Sequence, residues 1–187
     1  EALANDLKSF PNHVWSTYGM TETLSHIALR KLNGQDASDW YTPFDNVRIR
    51  LSEEGTLIIH APNVCAEELT TNDIAEINGE GKFRILGRKD NTINSGGVKI
   101  QIEQVEGLLR KHLDIPFQIT ARKDAKFGEI VVLIYNKVGN EANIRQVCEN
   151  TLPTYWVPKA YIPVDELPMT GTGKPDRFSA RRIANGE

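Results

Sequence analysis

The chain has 187 residues, 40% hydrophobic and 25% charged, which is ordinary globular composition with enough apolar material for one large domain or two small ones. No stretch approaches the roughly 18 apolar residues of a membrane-spanning helix, and a net charge of −3 gives no general pull towards nucleic acid or an anionic membrane. Neither nucleic acid nor membrane is therefore an expected partner. The first residues, Glu-Ala-Leu-Ala-Asn-Asp-Leu-Lys, have no initiator Met, basic n-region or apolar h-region. They read as a cut through a longer chain and not as a signal peptide.

In chain order, Asn46–Leu51 alternates polar and apolar residues, Ser52-Glu53-Glu54-Gly55 turns, and Thr56–His60 returns, which predicts a hairpin. Ile74–Ile77 and Lys82–Leu86 around Asn78-Gly79-Glu80-Gly81 predict a second one. Beyond Gly87, the spacing of Ile102, Val105, Leu108 and Leu109 predicts a helix running to about His112. Phe117–Arg122 and Glu129–Tyr135 read as strands, Glu141–Thr151 as a helix, Tyr161–Val164 as a short strand, and a tail helix starts at Arg177. The succession is α+β and not doubly wound, with a domain boundary at Gly87–Asp90.

Charge is unevenly spread. Leu51 to Glu80 carries seven acidic residues and no Lys or Arg, whereas Lys82 to Lys111 carries seven basic residues against Asp90, Glu103 and Glu106. The basic block is either a solvated face or a surface for an anion. Cys65 and Cys148 are far apart, without a Cys-x-x-Cys or an adjacent His pair, so a zinc site is not expected and reduced thiols suit a cytoplasmic protein.

Four segments carry residues suited to chemistry. Thr17-Tyr18-Gly19-Met20-Thr21-Glu22-Thr23 offers a ring for a base, a hydroxyl for a phosphate and a carboxylate for Mg²⁺, or else a turn followed by a capped helix. Gly87-Arg88-Lys89-Asp90 leads to Ser95-Gly96-Gly97 and then Glu103-Gln104-Val105-Glu106, where paired glycines allow close approach of a ligand or simply make a hairpin turn. Leu152-Pro153-Thr154-Tyr155-Trp156-Val157-Pro158 reads as a rigid extended segment. Last, Leu167 to Arg177 contains Gly171-Thr172-Gly173-Lys174. A phosphate-binding Walker loop is ruled out, because Pro168 stands where a Gly is needed and Pro175 where Ser or Thr is needed. What remains is a Lys on a flexible Gly-Thr-Gly segment.

In this order the four segments resemble the later core motifs of the adenylate-forming superfamily of acyl-CoA synthetases, luciferases and peptide-synthetase adenylation domains. The resemblance spans Trp15 to Arg182. It implies that residues 1–86 are the C-terminal portion of a large N-terminal adenylation domain, made of β-hairpins and a partial barrel. Residues 87–187 would be a small mobile α+β domain with a short sheet and flanking helices. It implies ATP, Mg²⁺ and coenzyme A as reactants, and as partners a small-molecule carboxylic acid and the remainder of the N-terminal domain. Lys174 would bridge the acyl carboxylate and the α-phosphate, Glu22 hold Mg²⁺, Thr21 an α-phosphate oxygen, and Tyr18 with Gly19 the adenine. Asp73 and Arg88 would hold the ribose, Asp90 would be the hinge, and Gly96 and Gly97 would line the pantetheine tunnel. The family's Thr-Gly-Asp is here Thr71-Asn72-Asp73, which suits if Asn72 takes the left-handed backbone. Val64–Leu69 is shorter than the family's pattern, and the early Gly-rich phosphate loop is absent, so the chain alone is not expected to run the full reaction.

Within the superfamily, Tyr-Gly-Met-Thr-Glu-Thr followed by Leu24-Ser25-His26-Ile27-Ala28 most resembles the o-succinylbenzoate–CoA ligases of menaquinone synthesis. His26 would then face a substrate carboxylate, or else pack a helix. Alternatives are another acyl- or aryl-CoA synthetase, a carrier-protein adenylation enzyme, or a non-catalytic interaction module that retains the fold.

Overall fold

Among the described residues, every strand before residue 90 pairs with a strand next to it in sequence, as expected of segments that alternate polar and apolar residues between short turns. The computed structural model describes Leu7 and residues 10–187. Strands β1 (Trp15–Gly19), β2 (His26–Lys31) and β3 (Thr42–Pro43) form one antiparallel sheet. Strands β4 (Arg48–Leu51), β5 (Thr56–His60), β6 (Leu69–Ile77) and β7 (Phe83–Arg88) form a four-stranded antiparallel meander. Both predicted hairpins are present, with Arg48 opposite His60 and Ile77 opposite Phe83. In the second, the Asn78 side chain accepts from the backbone N–H groups of Glu80 and Lys82, both at 3.0 Å, and the positive φ of 75° falls on Gly81 and not on Gly79. The two sheets are joined where Tyr41 and Phe83 exchange backbone hydrogen bonds of 2.6 and 3.0 Å. Ile27, Leu57, Ile59 and Phe83 are buried together between them.

From residue 90 the chain folds around a second core. Strands β8 (Thr92–Ser95) and β9 (Val98–Gln101) form a hairpin, followed by helix α1 (Ile102–Leu109). Then come β10 (Phe117–Asp124), β11 (Gly128–Asn136), α2 (Glu141–Thr151), β12 (Ala160–Val164) and α3 (Arg177–Asn185). Strand β11 is central. It pairs antiparallel with β10 along its whole length, parallel with β12 through the α2 crossover, and with β8 at Gly128 opposite Ser95. Its run Ile-Val-Val-Leu-Ile-Tyr is continuously apolar because both faces are covered. Val131, Leu133 and Tyr135 lie in the cluster with α1 and α2, while Ile130, Val132 and Ile134 pack with Ala180 and Ala184 of α3. The result is an α+β unit of three layers.

Helix α1 stops at Leu109, short of the predicted His112, and its end is finished by turn bonds from Arg110, His112 and Leu113 back to Glu106 and Leu109. The Leu152–Pro158 segment is not extended throughout. One 3₁₀ turn, Thr154–Trp156, sits between its prolines and is closed by Trp156 N–H to Pro153 O at 2.8 Å. The chain divides into two compact units, Glu1–Lys89 and Asp90–Glu187.

Candidate functional site

In the first unit, three residues predicted for the nucleotide meet although they are up to 70 positions apart in sequence. The β6–β7 register sets Asp73 directly opposite Arg88, with 3.7 Å between carboxylate and guanidinium. The Tyr18 hydroxyl, arriving on β1, donates to Asp73 Oδ2 at 2.6 Å. The Tyr18 ring meets Phe83 edge-on at 5.1 Å between centroids and lies tilted against Tyr41 at 5.8 Å. Burial, and then the hydrogen bond to Asp73, push the phenol well above its ordinary pKa, so it remains a donor at any physiological pH. Asn72 lies inside β6 and does not have positive φ, so the predicted left-handed turn is absent. A one-residue shift of the β6–β7 register between Ile74 and Ala75, and not a left-handed residue, is what sets Asp73 opposite Arg88.

Gly19, Thr21 and His26 line an open depression of about 410 Å³ that Leu24 and Ser25 help to bound. The helix considered for this stretch is only a 3₁₀ turn, Thr21–Thr23, and His26 opens strand β2 as an exposed residue instead of packing a helix. Thr23, fully buried, ties the turn. Its hydroxyl accepts from Met20 N–H at 3.0 Å and lies within donating reach of Met20 O and Ser25 O. Leu24 takes a φ of 54°, strained for a branched-chain residue, and is 84% exposed beside the depression. The turn leaves Thr21 and Glu22 exposed. A single exposed carboxylate is an apt donor for Mg²⁺, which commonly takes one or two protein carboxylates and fills its shell with water and phosphate oxygens.

In the second unit, Gly96 and Gly97 make the β8–β9 turn with φ of 58° and 86°, a conformation that ordinary side chains adopt only under strain. The glycines also answer to a neighbour. A Cβ on Gly96 would lie 3.2 Å from the Phe127 ring, and Gly96 N–H donates to Phe127 O at 2.9 Å. The two hairpin tips are thus fastened together, and Phe127 is a residue that sequence reading did not select. Asp90 is exposed in the one-turn segment Lys89–Asn91, where the two units divide.

Lys174 stands on a closed hairpin and not on a loose glycine loop. Thr170 N–H donates to Lys174 O at 2.7 Å, Lys174 N–H to Thr170 Oγ1 at 3.1 Å, and Met169 bridges to Pro175. Just after it, Arg177 forks onto Glu106 with bonds of 2.5 and 2.9 Å. Glu106 is 1% exposed, and it also accepts from Arg110 and from Ile119 N–H. Its importance was detectable in advance. Glu106 falls on the same helical face as Ile102, Val105 and Leu109, and an acid on an apolar face needs a partner.

The basic block is not a free cationic surface. Lys82, Arg84, Arg88 and Lys89 pair with Glu80, Glu76, Asp73 and Glu54 of the preceding acidic stretch, and Arg110 pairs with Glu106. Three of these pairs lie within the β6–β7 hairpin, so the uneven charge along the sequence is partly offset there.

Residues 118–174 match the family model of the AMP-binding enzyme C-terminal domain. The chain is 30% identical over 189 residues to a 2-succinylbenzoate–CoA ligase of Staphylococcus epidermidis, covering 88% of this chain and 40% of that protein. It therefore spans about two fifths of that relative's length. It superposes on an acyl-CoA synthetase (AMP-forming)/AMP-acid ligase II-like protein from Dyadobacter fermentans with a TM-score of 0.51 and 33% identity, covering 96% of this chain and 53% of the other. An o-succinylbenzoate–CoA synthetase from Bacillus subtilis, solved with its acyl-adenylate intermediate, shares the fold with a TM-score of 0.78 at 22% identity, over 96% of this chain and 43% of the other. With its motifs in family order on this fold, the chain belongs to the adenylate-forming superfamily.

Proposed function

We propose that this chain supplies part of the nucleotide site and the mobile lysine of an enzyme that activates a carboxylic acid with ATP and passes the acyl group to coenzyme A. The carrying observation is the meeting of Tyr18, Asp73 and Arg88. A carboxylate and a guanidinium side by side suit the two ribose hydroxyls, and an aromatic residue tied to that carboxylate suits the adjacent base. The first unit, up to Lys89, is read as the end of the large adenylation domain and residues 90–187 as the small domain that turns about Asp90. The boundary lies three residues later than the sequence-based one at 86/87 because Gly87 and Arg88 complete β7.

In the first half-reaction the acid's carboxylate attacks the α-phosphorus of ATP, forming an acyl–phosphate bond and releasing pyrophosphate. Two anions have to meet, so positive charge placed where the transition state gathers negative charge lowers the barrier. Lys174 provides that charge between the acyl oxygen and the α-phosphate, and Thr21 donates to a phosphate oxygen. Glu22 would hold Mg²⁺, which supplies further charge neutralisation on the phosphates. In the second half-reaction the thiol of coenzyme A attacks the acyl carbon and AMP leaves. Gly96 and Gly97, lacking side chains, leave room for the pantetheine arm.

The substrate we favour is o-succinylbenzoate, supported by the Staphylococcus epidermidis relative over most of the chain and by exposed His26 beside the depression, where it would meet the second carboxylate. The test uses an enzyme of the relatives' full length that carries this chain. With o-succinylbenzoate it should show acid-dependent ATP–pyrophosphate exchange, and Lys174→Ala should lower that exchange by about 10²–10³-fold, the scale for removing one charge-stabilising group. Exchange that is indifferent to Lys174 would sink the reading. Exchange that responds to other acids but not to o-succinylbenzoate would sink the substrate alone.

A further inference from the structure

The Lys174 hairpin is bound to the body of its unit at two places that the proposed chemistry does not itself require. The first is Gln118 on β10, which is 2% exposed. Its amide donates to Pro168 O at 2.8 Å, and the same carbonyl accepts from Asp176 N–H at 3.0 Å, closing the hairpin base. A second contact runs from the Gln118 amide to Met169 Sδ at 3.6 Å. The second place is the Glu106–Arg177 fork. Strand β10 is an edge of its sheet, and its unpaired groups at Ile119 are taken up by this pair, N–H by Glu106 at 2.9 Å and C=O by Arg177 at 3.4 Å. Helix α1, strand β10 and the residue three places after Lys174 are thereby joined through one buried carboxylate.

We propose that Gln118 and the Glu106–Arg177 pair are positioning residues for Lys174, fixing its hairpin against β10 so that the place of the amine on the second unit is set before substrate binds. This deepens the reading of Lys174 given above and rests on it. The physical ground is preorganisation: a charge held in place spends no free energy on ordering when the transition state forms. Gly171 and Gly173 then serve to make a tight turn, Gly173 at a φ of 75°, and not to give mobility.

Gln118→Met tests this cleanly. It keeps the volume beside Met169 and removes the donor to Pro168 O, which retains its bond from Asp176. It also removes the Gln118 Oε1 atom, buried with no partner among the described residues, so the fold should lose little. In the full-length enzyme the kcat of acid-dependent ATP–pyrophosphate exchange should fall by about tenfold, well inside the 10²-fold scale of a 1 Å misplacement. KM for ATP, the melting temperature and the rate of thioester formation from preformed acyl-adenylate should be unchanged. Thr170→Val, on the exposed hairpin, removes the acceptor of Lys174 N–H and should give the same split without risk to folding. Unchanged exchange in both variants would overturn the proposal, and so would a parallel fall of both half-reactions with the melting temperature, the mark of a merely structural role. If Lys174→Ala itself leaves exchange intact, the parent reading fails and this one with it.

Discussion

Two of the glycines selected from the sequence are demanded by packing as well as by any ligand. Gly19 is the firmer case. A Cβ there would stand 2.4 Å from Ser25 O and 2.8 Å from His26 Cα, which are backbone atoms that cannot swing aside. Gly19→Ala should therefore force β1 and β2 apart and cost about 1–3 kcal/mol or more, the usual scale of overpacking. A urea melt of the folded chain checks it, and a cost near zero would mean that the strands part easily. The sequence shows a Gly between an aromatic and a Met but cannot show that the chain turns back at Ser25 to press on it. The same holds for Tyr18. Its aromatic character is plain from the sequence, whereas its bond to Asp73 depends on a register set 55 residues later.

At the scale of elements, local signals were sufficient wherever a segment carries its own cap or turn. Helix α3 is such a segment. Asp176 accepts from Ser179 N–H at 3.1 Å and from the Ser179 hydroxyl at 2.7 Å, a side-chain cap on the first turn. The Ser179 hydroxyl and then its N–H hold the Asp176 carboxyl below its ordinary value. A carboxyl depressed in the folded state stabilises above its unfolded value, about 3.9, and loses that contribution as pH falls through the folded value. Asp176→Ala should accordingly lower the melting temperature at neutral pH, with a gap to the parent chain that narrows as pH drops below about 4. A gap constant with pH would show that the cap is not electrostatic. Elements whose form depends on a neighbour were misread. The 3₁₀ turn Thr154–Trp156 and the closed Lys174 hairpin both sit in Pro- and Gly-rich stretches, where composition permits several backbones and contacts select one. For Lys174 the selecting contact is Gln118, 56 positions earlier.

At the scale of the whole molecule, the chain divides at Lys89/Asp90, and each unit has its own buried core. The second unit has a sheet covered on both faces, by α1 and α2 on one side and α3 on the other. Residues 90–187 produced alone should thus unfold cooperatively, with a single melting transition and dispersed amide resonances. A molten, non-cooperative product would show that this unit needs the first one to fold. The sequence by itself determined the α+β class, the hairpins and helices with their own turns and caps, and the order of chemical motifs that marks the superfamily, because each is written in local spacing. Only the tertiary structure decided that Tyr18, Asp73 and Arg88 meet, that four residues of the basic stretch pair with the acidic one, and that the Lys174 hairpin is bonded to Gln118 while Arg177 beside it is bonded to Glu106. Those outcomes depend on strand register and on buried pairs between distant residues, and such contacts leave no periodic trace along the chain.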